Sequence, residues 1–225
     1  MAEQTLLAIE QLHRLGYLHR DVKPGNFALG PPSRPHNVHI IDFGLSRCYT
    51  WGERELRPQR ERASYRGTTR YASLAALTEK DQSRKDDLES WLYVVMEWTS
   101  GGLPWKREKG KDKAKVEAQK KELRTNETLL NQAMKGCPKE TYVRIMRYLD
   151  DLEYYDVPDY TYIFGTIRDT FMINHLDPFA PLDWETGRKF QPSAECIGDG
   201  IPPFTKAGFQ RQCEDQTQQD HNNNE

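Results

Sequence analysis

The chain has 225 residues, with 32 Lys and Arg against 34 Asp and Glu and a formal net charge of −2, which argues against wholesale nucleic-acid binding, since that needs a broadly basic protein. A hydrophobic share of 36 % that includes 11 % aromatic residues is enough to build a core and excludes a wholly disordered chain. No apolar run approaches the ~18 residues of a membrane span, and Glu3, Glu10 and His13 interrupt the N-terminus where a signal peptide needs an unbroken apolar stretch. Leu7, Leu12 and Leu15, with Ala8 and Ile9 nearby, recur at helical spacing and predict a first helix closed by Gly16. A polar loop follows, His19-Arg20-Asp21-Val22-Lys23-Pro24-Gly25-Asn26. Two short apolar runs, 27–29 and 38–41, flank a Pro- and Ser-rich turn and predict a small β-hairpin. Residues 42–73 hold few aliphatic side chains and many Arg, and predict one long surface loop; loops beyond ~12–15 residues in a compact domain usually carry function.

The rest reads as helix. Residues 86–99 are apolar on nearly all sides and predict a buried central helix. A charged surface helix is expected over 111–130, and amphipathic helices over 140–152 and 160–173. Residues 1–185 form the expected domain, and the Gln-, Asn- and Asp-rich stretch 186–225 a disordered tail. Cys48, Cys137, Cys196 and Cys213 contain no CxxC pair; that pattern suits a reducing compartment rather than a disulfide scaffold or a zinc site. His36 and His39 have His-x-x-His spacing, but no carboxylate or Cys at useful spacing completes a metal site. Tyr142, Tyr148, Tyr154, Tyr155, Tyr160 and Tyr162 read as packing.

The chemistry sits in two short motifs. Asp21 and Asn26 lie five residues apart with Lys23 between them, and Asp42, in Asp42-Phe43-Gly44, waits across the hairpin. Phosphoryl transfer to a hydroxyl passes through a loose transition state, so a protein catalyses it by positioning groups and neutralising charge. Asp21 can accept the hydroxyl proton, and Lys23 can hold the γ-phosphate of ATP. Asn26 and Asp42 offer oxygen ligands to Mg²⁺, which takes one or two protein groups plus phosphates and water. HRDxKxxN together with DFG is the protein-kinase signature set.

On these residues and several longer stretches the chain resembles the casein kinase 1 group of Ser/Thr protein kinases. HRDVKPGNFALG resembles that group's catalytic loop, RGTTRYASLAAL stands where other kinases have Ala-Pro-Glu, and KDDLESWLYVVMEWTSGGLPW resembles its central-helix segment. CPKETYVRIMRYLDDLEYYDVPDYTYIFGTIRDTF and LDWE are similar to its last helices, and the Arg-rich stretch RCYTWGERELRPQRERASYRGTTRYAS is most like the tau-tubulin kinase branch. The resemblance covers roughly residues 4–185. It implies a mainly α fold, the protein-kinase C-terminal lobe with a small β-hairpin at the active site.

It also implies roles. Asp21 would be the catalytic base, Lys23 the mark of a Ser/Thr kinase, and Thr68 a hydrogen-bond partner of the Asp21–Lys23 pair. Asp87 would tie down the backbone of the catalytic loop, or equally cap its own helix. His19 would pack beneath Asp42, and Arg20 would anchor the long loop. Relatives in this group choose acidic or pre-phosphorylated protein substrates, and Arg70 matches one of their phosphate-binding arginines, with Lys120 as its looser partner. The surrounding basic stretches, 54–70 with net charge +4 and 106–124 with net charge +5, read mostly as solvated faces. The sequence contains no GxGxxG and no VAIK-like strand, so the N-terminal lobe is expected to be absent and the chain weakly active or inactive alone. The rival reading is a non-catalytic, pseudokinase-like binding module or scaffold. No nucleic acid or membrane partner is expected, nothing sets an oligomeric state, and the location expected is intracellular: the cytoplasm, with the Lys-rich helix a candidate nuclear import signal.

Overall fold

Thr5, Leu6, Ile9, Leu12 and His13 recur at three- and four-residue spacing and bury one face of the first helix, α1 (Ala2–Arg14). Leu7 and Leu15, which the apolar spacing counts into that face, are 38 % and 58 % exposed. The buried stripe is set instead by Leu6, Ile9 and Leu12 with two polar residues, Thr5 accepting from the Trp91 indole at 2.9 Å and His13 bonded to Asp87. The computed structural model describes residues 1–31, 37–51, 55–108 and 112–175; His36 and the tail over 186–225 lie outside them.

Gly16 closes α1 with φ +89°, and a Cβ there would meet Thr50 Oγ1 at 2.7 Å. Strand β1 (Tyr17–Leu18) leads into the polar loop, which ends in a 3₁₀ turn, Pro24–Asn26. The hairpin forms as expected from β2 (Phe27–Leu29) and β3 (Val38–Ile40), antiparallel with Phe27 opposite Ile40 and Leu29 opposite Val38. Residues 42–73 depart from a plain surface loop. β4 (Arg47–Cys48) pairs antiparallel with β1, and β5 (Thr50–Trp51) pairs with β6 (Glu55–Leu56). Their arginines are the reason: Arg47 is buried and reaches the buried Asp81 at 3.4 Å, and Arg57 is buried with its guanidinium 4.4 Å over the Trp51 ring. A guanidinium buried against an acid or an aromatic face is a packing element.

A short helix, α2 (Leu74–Leu77), starts where Ser73 Oγ accepts from Ala76 N at 3.1 Å. The central helix, α3 (Arg84–Ser100), begins at a capping box of Ser83 and Asp86 and ends at Gly101 with φ +78°. Leu88, Trp91, Leu92, Tyr93, Val94, Val95 and Met96 on it are all buried, and α1 and the sixth helix, α6 (Lys139–Asp151), pack against it. The single charged helix expected over 111–130 is two, α4 (Lys113–Glu122) and α5 (Glu127–Ala133). Asn126 breaks it: its side chain accepts from Thr128 N at 3.0 Å and Leu129 N at 3.2 Å and so starts a new helix. The last described helix, α7 (Tyr160–Ile173), starts at Asp159, which accepts from Tyr162 N, and packs on α1 and α6. The described residues are thus mainly helical, with two-stranded pieces around the polar loop. No helix among them is long and apolar enough to cross a membrane.

Candidate active site

The polar loop after β1 has no ladder to satisfy its backbone, and a carboxylate from α3 does so instead. Asp87, 2 % exposed, accepts from His19 N at 2.7 Å through Oδ2 and from Arg20 N at 2.8 Å through Oδ1. His13 Nε2 lies 2.9 Å from the same Oδ2, and its Nδ1 lies 2.6 Å from the Tyr160 hydroxyl. Burial alone would raise the Asp87 carboxyl, but the hydrogen bonds from the His13 ring and from the His19 backbone outweigh it and hold the group below the ordinary value. Of the two roles open to Asp87, the geometry gives the loop tether. The cap belongs to Ser83 and Asp86, where Ser83 N donates to Asp86 Oδ2 at 2.7 Å. Burial pushes the Asp86 carboxyl up to about 7, the reverse of its neighbour.

The next residues are held just as tightly. Asp21 N donates to His19 Nδ1 at 3.3 Å, which leaves the proton on Nε2 for the Ile41 carbonyl at 3.0 Å. The fully buried His19 ring meets Phe43 edge-on, so it packs under the residues on either side of Asp42. Arg20 sits at φ +65°, a conformation costly for a residue with a Cβ. It is held from one side by Asp87 and from the other by its own Nε, which donates to Leu45 O at 2.7 Å. Burial, then the nearby Arg60 and Arg66, lowers its guanidinium to about 10, so it stays charged at neutral pH. It anchors the start of the long segment, as expected.

Four donor contacts converge on the Asp21 carboxylate. Oδ2 accepts from Lys23 Nζ at 2.5 Å and from Asn26 Nδ2 at 3.4 Å; Oδ1 accepts from Thr68 N at 2.9 Å and Thr68 Oγ1 at 2.8 Å. Asn26 Nδ2 also donates to Asp21 O at 2.9 Å, which leaves the amide oxygen as the free acceptor of that side chain. Thr68 reaches Asp21 because residue 67 is glycine, at φ +104°, where a Cβ would lie 2.8 Å from Arg20 O. Ile41 N donates to Asn26 O at 2.9 Å, which sets Asp42 beside Asn26. Asp42 is exposed at φ +65°, and Gly44 N donates to its Oδ1 at 3.3 Å.

One carboxylate and one amide oxygen on neighbouring backbone are hard donors, and they suit Mg²⁺ completed by phosphate and water. No group of three or more His, Cys, Asp or Glu that could hold a metal occurs among the described residues. The structure therefore brings the side chains of Asp21, Lys23, Asn26 and Thr68 to one place and sets the backbone of Asp42 next to Asn26. It does not bring Arg70 and Lys120 together as surface anion ligands. The Arg70 side chain is 41 % exposed, 3.3 Å from Glu97 Oε1, and donates to Lys106 O at 2.9 Å. Lys120 is fully buried; its ammonium donates to the carbonyls of Ala72 at 2.5 Å and Thr69 at 3.3 Å, so no phosphate at the surface reaches it. The helical wheel of a charged segment gave no sign of that burial. Sequence reasoning also missed His13 and Gly67. His13 bonds residues 74 and 147 positions away, beyond any local signal, whereas the glycine ahead of Thr68 was a readable turn signal.

A groove of about 610 Å³ opens elsewhere, lined by Lys80, Glu89, Lys121, Arg124, Asp150 and Tyr154 among others, and none of the five residues above lines it. Its charges are largely spent on one another, Arg124 with Glu89 at 3.0 Å and Asp150 at 2.8 Å.

The chain is similar to known proteins. A family model described as protein kinase domain matches residues 1–149, from α1 into α6. A probable serine/threonine-protein kinase of Dictyostelium discoideum is 39 % identical over 183 residues, 81 % of this chain and 35 % of the relative. The serine/threonine-protein kinase spe-6 of Caenorhabditis elegans is 34 % identical over 196 residues, 87 % of this chain and 52 % of the relative. The chain thus spans 35 % of the length of the first relative and 52 % of the second.

Proposed function

We propose, since this chain belongs to the protein kinase domain family and is by family a protein serine/threonine kinase, that it transfers the γ-phosphate of ATP to serine and threonine hydroxyls of proteins with Asp21 as the base. The observation that carries this reading is the convergence of Lys23, Asn26 and Thr68 on one carboxylate, with Asp42 set beside Asn26. Asp21 takes the proton of the acceptor hydroxyl as its oxygen bonds to the γ-phosphorus, the bond from that phosphorus to the β–γ bridging oxygen breaks, and ADP leaves. Lys23, 2.5 Å from Asp21 Oδ2, carries its positive charge between the base and the transferring phosphate. Thr68 fixes the carboxylate plane through two donors on the other oxygen. Asn26 and Asp42 are the residues that would hold Mg²⁺. Bound Mg·ATP supplies the electrophilic phosphorus and the charge that offsets its oxygens.

The finer reading is a casein kinase 1 type, tau-tubulin-like kinase acting on acidic or pre-phosphorylated proteins. It is supported by RGTTRYASLAAL in place of Ala-Pro-Glu and by the half-exposed Arg70 guanidinium a short way along the chain from Thr68. An intracellular site is supported by Cys48 and Cys137, which are free. We read residues 1–185 as the kinase unit and 186–225 as a separate tail. The 225 residues contain no GxGxxG and no VAIK-like motif, so weak transfer at most is expected from this stretch alone. The scaffold reading is disfavoured by the intact, preorganised Asp21 and Asp42. The test is transfer from γ-labelled ATP to a mixed protein acceptor followed by phosphoamino-acid analysis. The expected outcome is Mg²⁺-dependent label on serine and threonine; label on tyrosine would contradict the reading.

A further inference from the structure

We propose that Lys120 and Trp105 form a buried clamp that positions segment 68–72 beside Asp21, making both of them positioning residues of the site. This rests on the reading of Asp21 as the catalytic base. The segment is irregular and partly covered, so its carbonyls need donors that no ladder supplies. Lys120 Nζ donates to Thr69 O at 3.3 Å and to Ala72 O at 2.5 Å, and Trp105 Nε1 donates to Arg70 O at 2.7 Å. Three carbonyls within four residues are thus taken by two side chains that are 0 % and 1 % exposed.

The two donors are themselves locked together. The Lys120 ammonium lies 5.1 Å from the Trp105 ring centroid and 4.3 Å from that of Tyr93, and the two rings meet edge to face at 5.2 Å. Lys120 makes no ion pair among the described residues, and its charge rests on carbonyl dipoles and aromatic faces. Burying a cation that way is costly. Burial accordingly lowers the ammonium to about 7, with Glu89 opposing and Arg124 adding to the shift. The cost falls where it has a purpose, because the residue at the head of the clamped segment, Thr68, donates twice to Asp21. Inside the segment Tyr71 N and Ala72 N both donate to Thr68 O, at 2.9 and 3.0 Å. Loss of the clamp should therefore loosen Thr68 and the wall on which polypeptide flanking the acceptor hydroxyl would lie.

The test is residue-resolved amide exchange of the whole 225-residue chain, comparing Lys120→Met, which keeps the stem and loses the donors, with the unaltered protein. The amides of Tyr71 and Ala72 are expected to exchange about tenfold faster while those of the α1 and α3 interiors change less than about twofold. Trp105→Phe, which keeps a ring and loses only the indole donor, should give a smaller change confined to the same amides, and it serves if the lysine variant does not fold. In transfer assays the KM for a peptide acceptor should rise more than kcat falls. Unchanged exchange at Tyr71 and Ala72, or an equal rise across α3 as in a general packing defect, would overturn the clamp. Exchange needs no turnover, so its outcome judges the clamp alone, and phosphate appearing on tyrosine in the transfer assay would count against the kinase reading instead.

Discussion

Segments 19–26 and 68–72 meet at Asp21 and are both irregular, yet they are held by opposite charges. The first presents backbone N–H groups, and the buried anion Asp87 accepts from two of them. The second presents backbone carbonyls, and the buried cation Lys120 donates to two of them, with the Trp105 indole on a third. The sign of the buried charge follows the polarity of the unpaired backbone, as the high cost of an unsatisfied buried polar group requires. The two anchors differ in their own partners. Asp87 has the His13 ring as a hydrogen-bond partner, whereas Lys120 has carbonyl dipoles and aromatic faces.

The largest effect should come from breaking the anionic side. Asp87→Ala strands two buried N–H groups and the His13 ring, and is expected to cost about 3 kcal/mol in urea unfolding, the sum of two hydrogen bonds to a charged group. The loss should shrink at low pH. The folded Asp87 carboxyl lies below its unfolded value of 3.8, so its contribution is full above that value and fades as pH falls through the folded one. A flat difference between pH 2 and pH 7 would break the account of that anchor.

Asp86 sharpens the comparison, because it is the same residue type one position earlier with no ion pair or His hydrogen bond among the described residues. Burial raises it to about 7, so the native state holds a proton the unfolded state has lost, and stability should fall as pH rises from about 4 to 7. Asp86→Asn keeps an oxygen to accept from Ser83 N and should remove that fall, a gain on the order of 2 kcal/mol at pH 8. Denaturation midpoints across pH check it, and a variant less stable than the original at pH 8 would contradict it. Thr68→Val deletes one of the two bonds from that residue to Asp21 and leaves the backbone one. About 1 kcal/mol of stability and roughly a tenfold loss of transfer are expected, read by thermal melts and single-turnover rates. The smallest change belongs to Arg70, whose ion pair is partly solvated. Arg70→Ala should leave stability within about 0.5 kcal/mol and raise KM for acidic or phosphorylated peptides relative to neutral ones.

What the sequence made legible was what it encodes locally. The stripe of α3, the β2–β3 hairpin and α7 each follow from spacing within one element, and Asp21, Lys23 and Asn26 are neighbours in a single loop. Asp87 could be narrowed to two roles, and only the position of His19 N and Arg20 N decided between them. Partners far apart in the chain were not legible: the bonds of His13 to Asp87 and Tyr160 span 74 and 147 residues. Lys120 stands in a run of charges that reads as solvent-facing, and its burial depends on carbonyls of another segment and on the rings of Tyr93 and Trp105. The arginines of 42–73 misled in the same way, since Arg47 and Arg57 are buried by partners outside their own strands or across a turn.

The most direct test of the central claim is single-turnover transfer of the γ-phosphate to a serine- and threonine-bearing acceptor, with the chain in excess so that slow chemistry is still read. Asp21→Asn is expected to lower the rate at least about a hundredfold, within the range of a lost general base, while Mg²⁺-dependent ATP binding persists. A variant that transfers phosphate as fast as the original would contradict the assignment of Asp21.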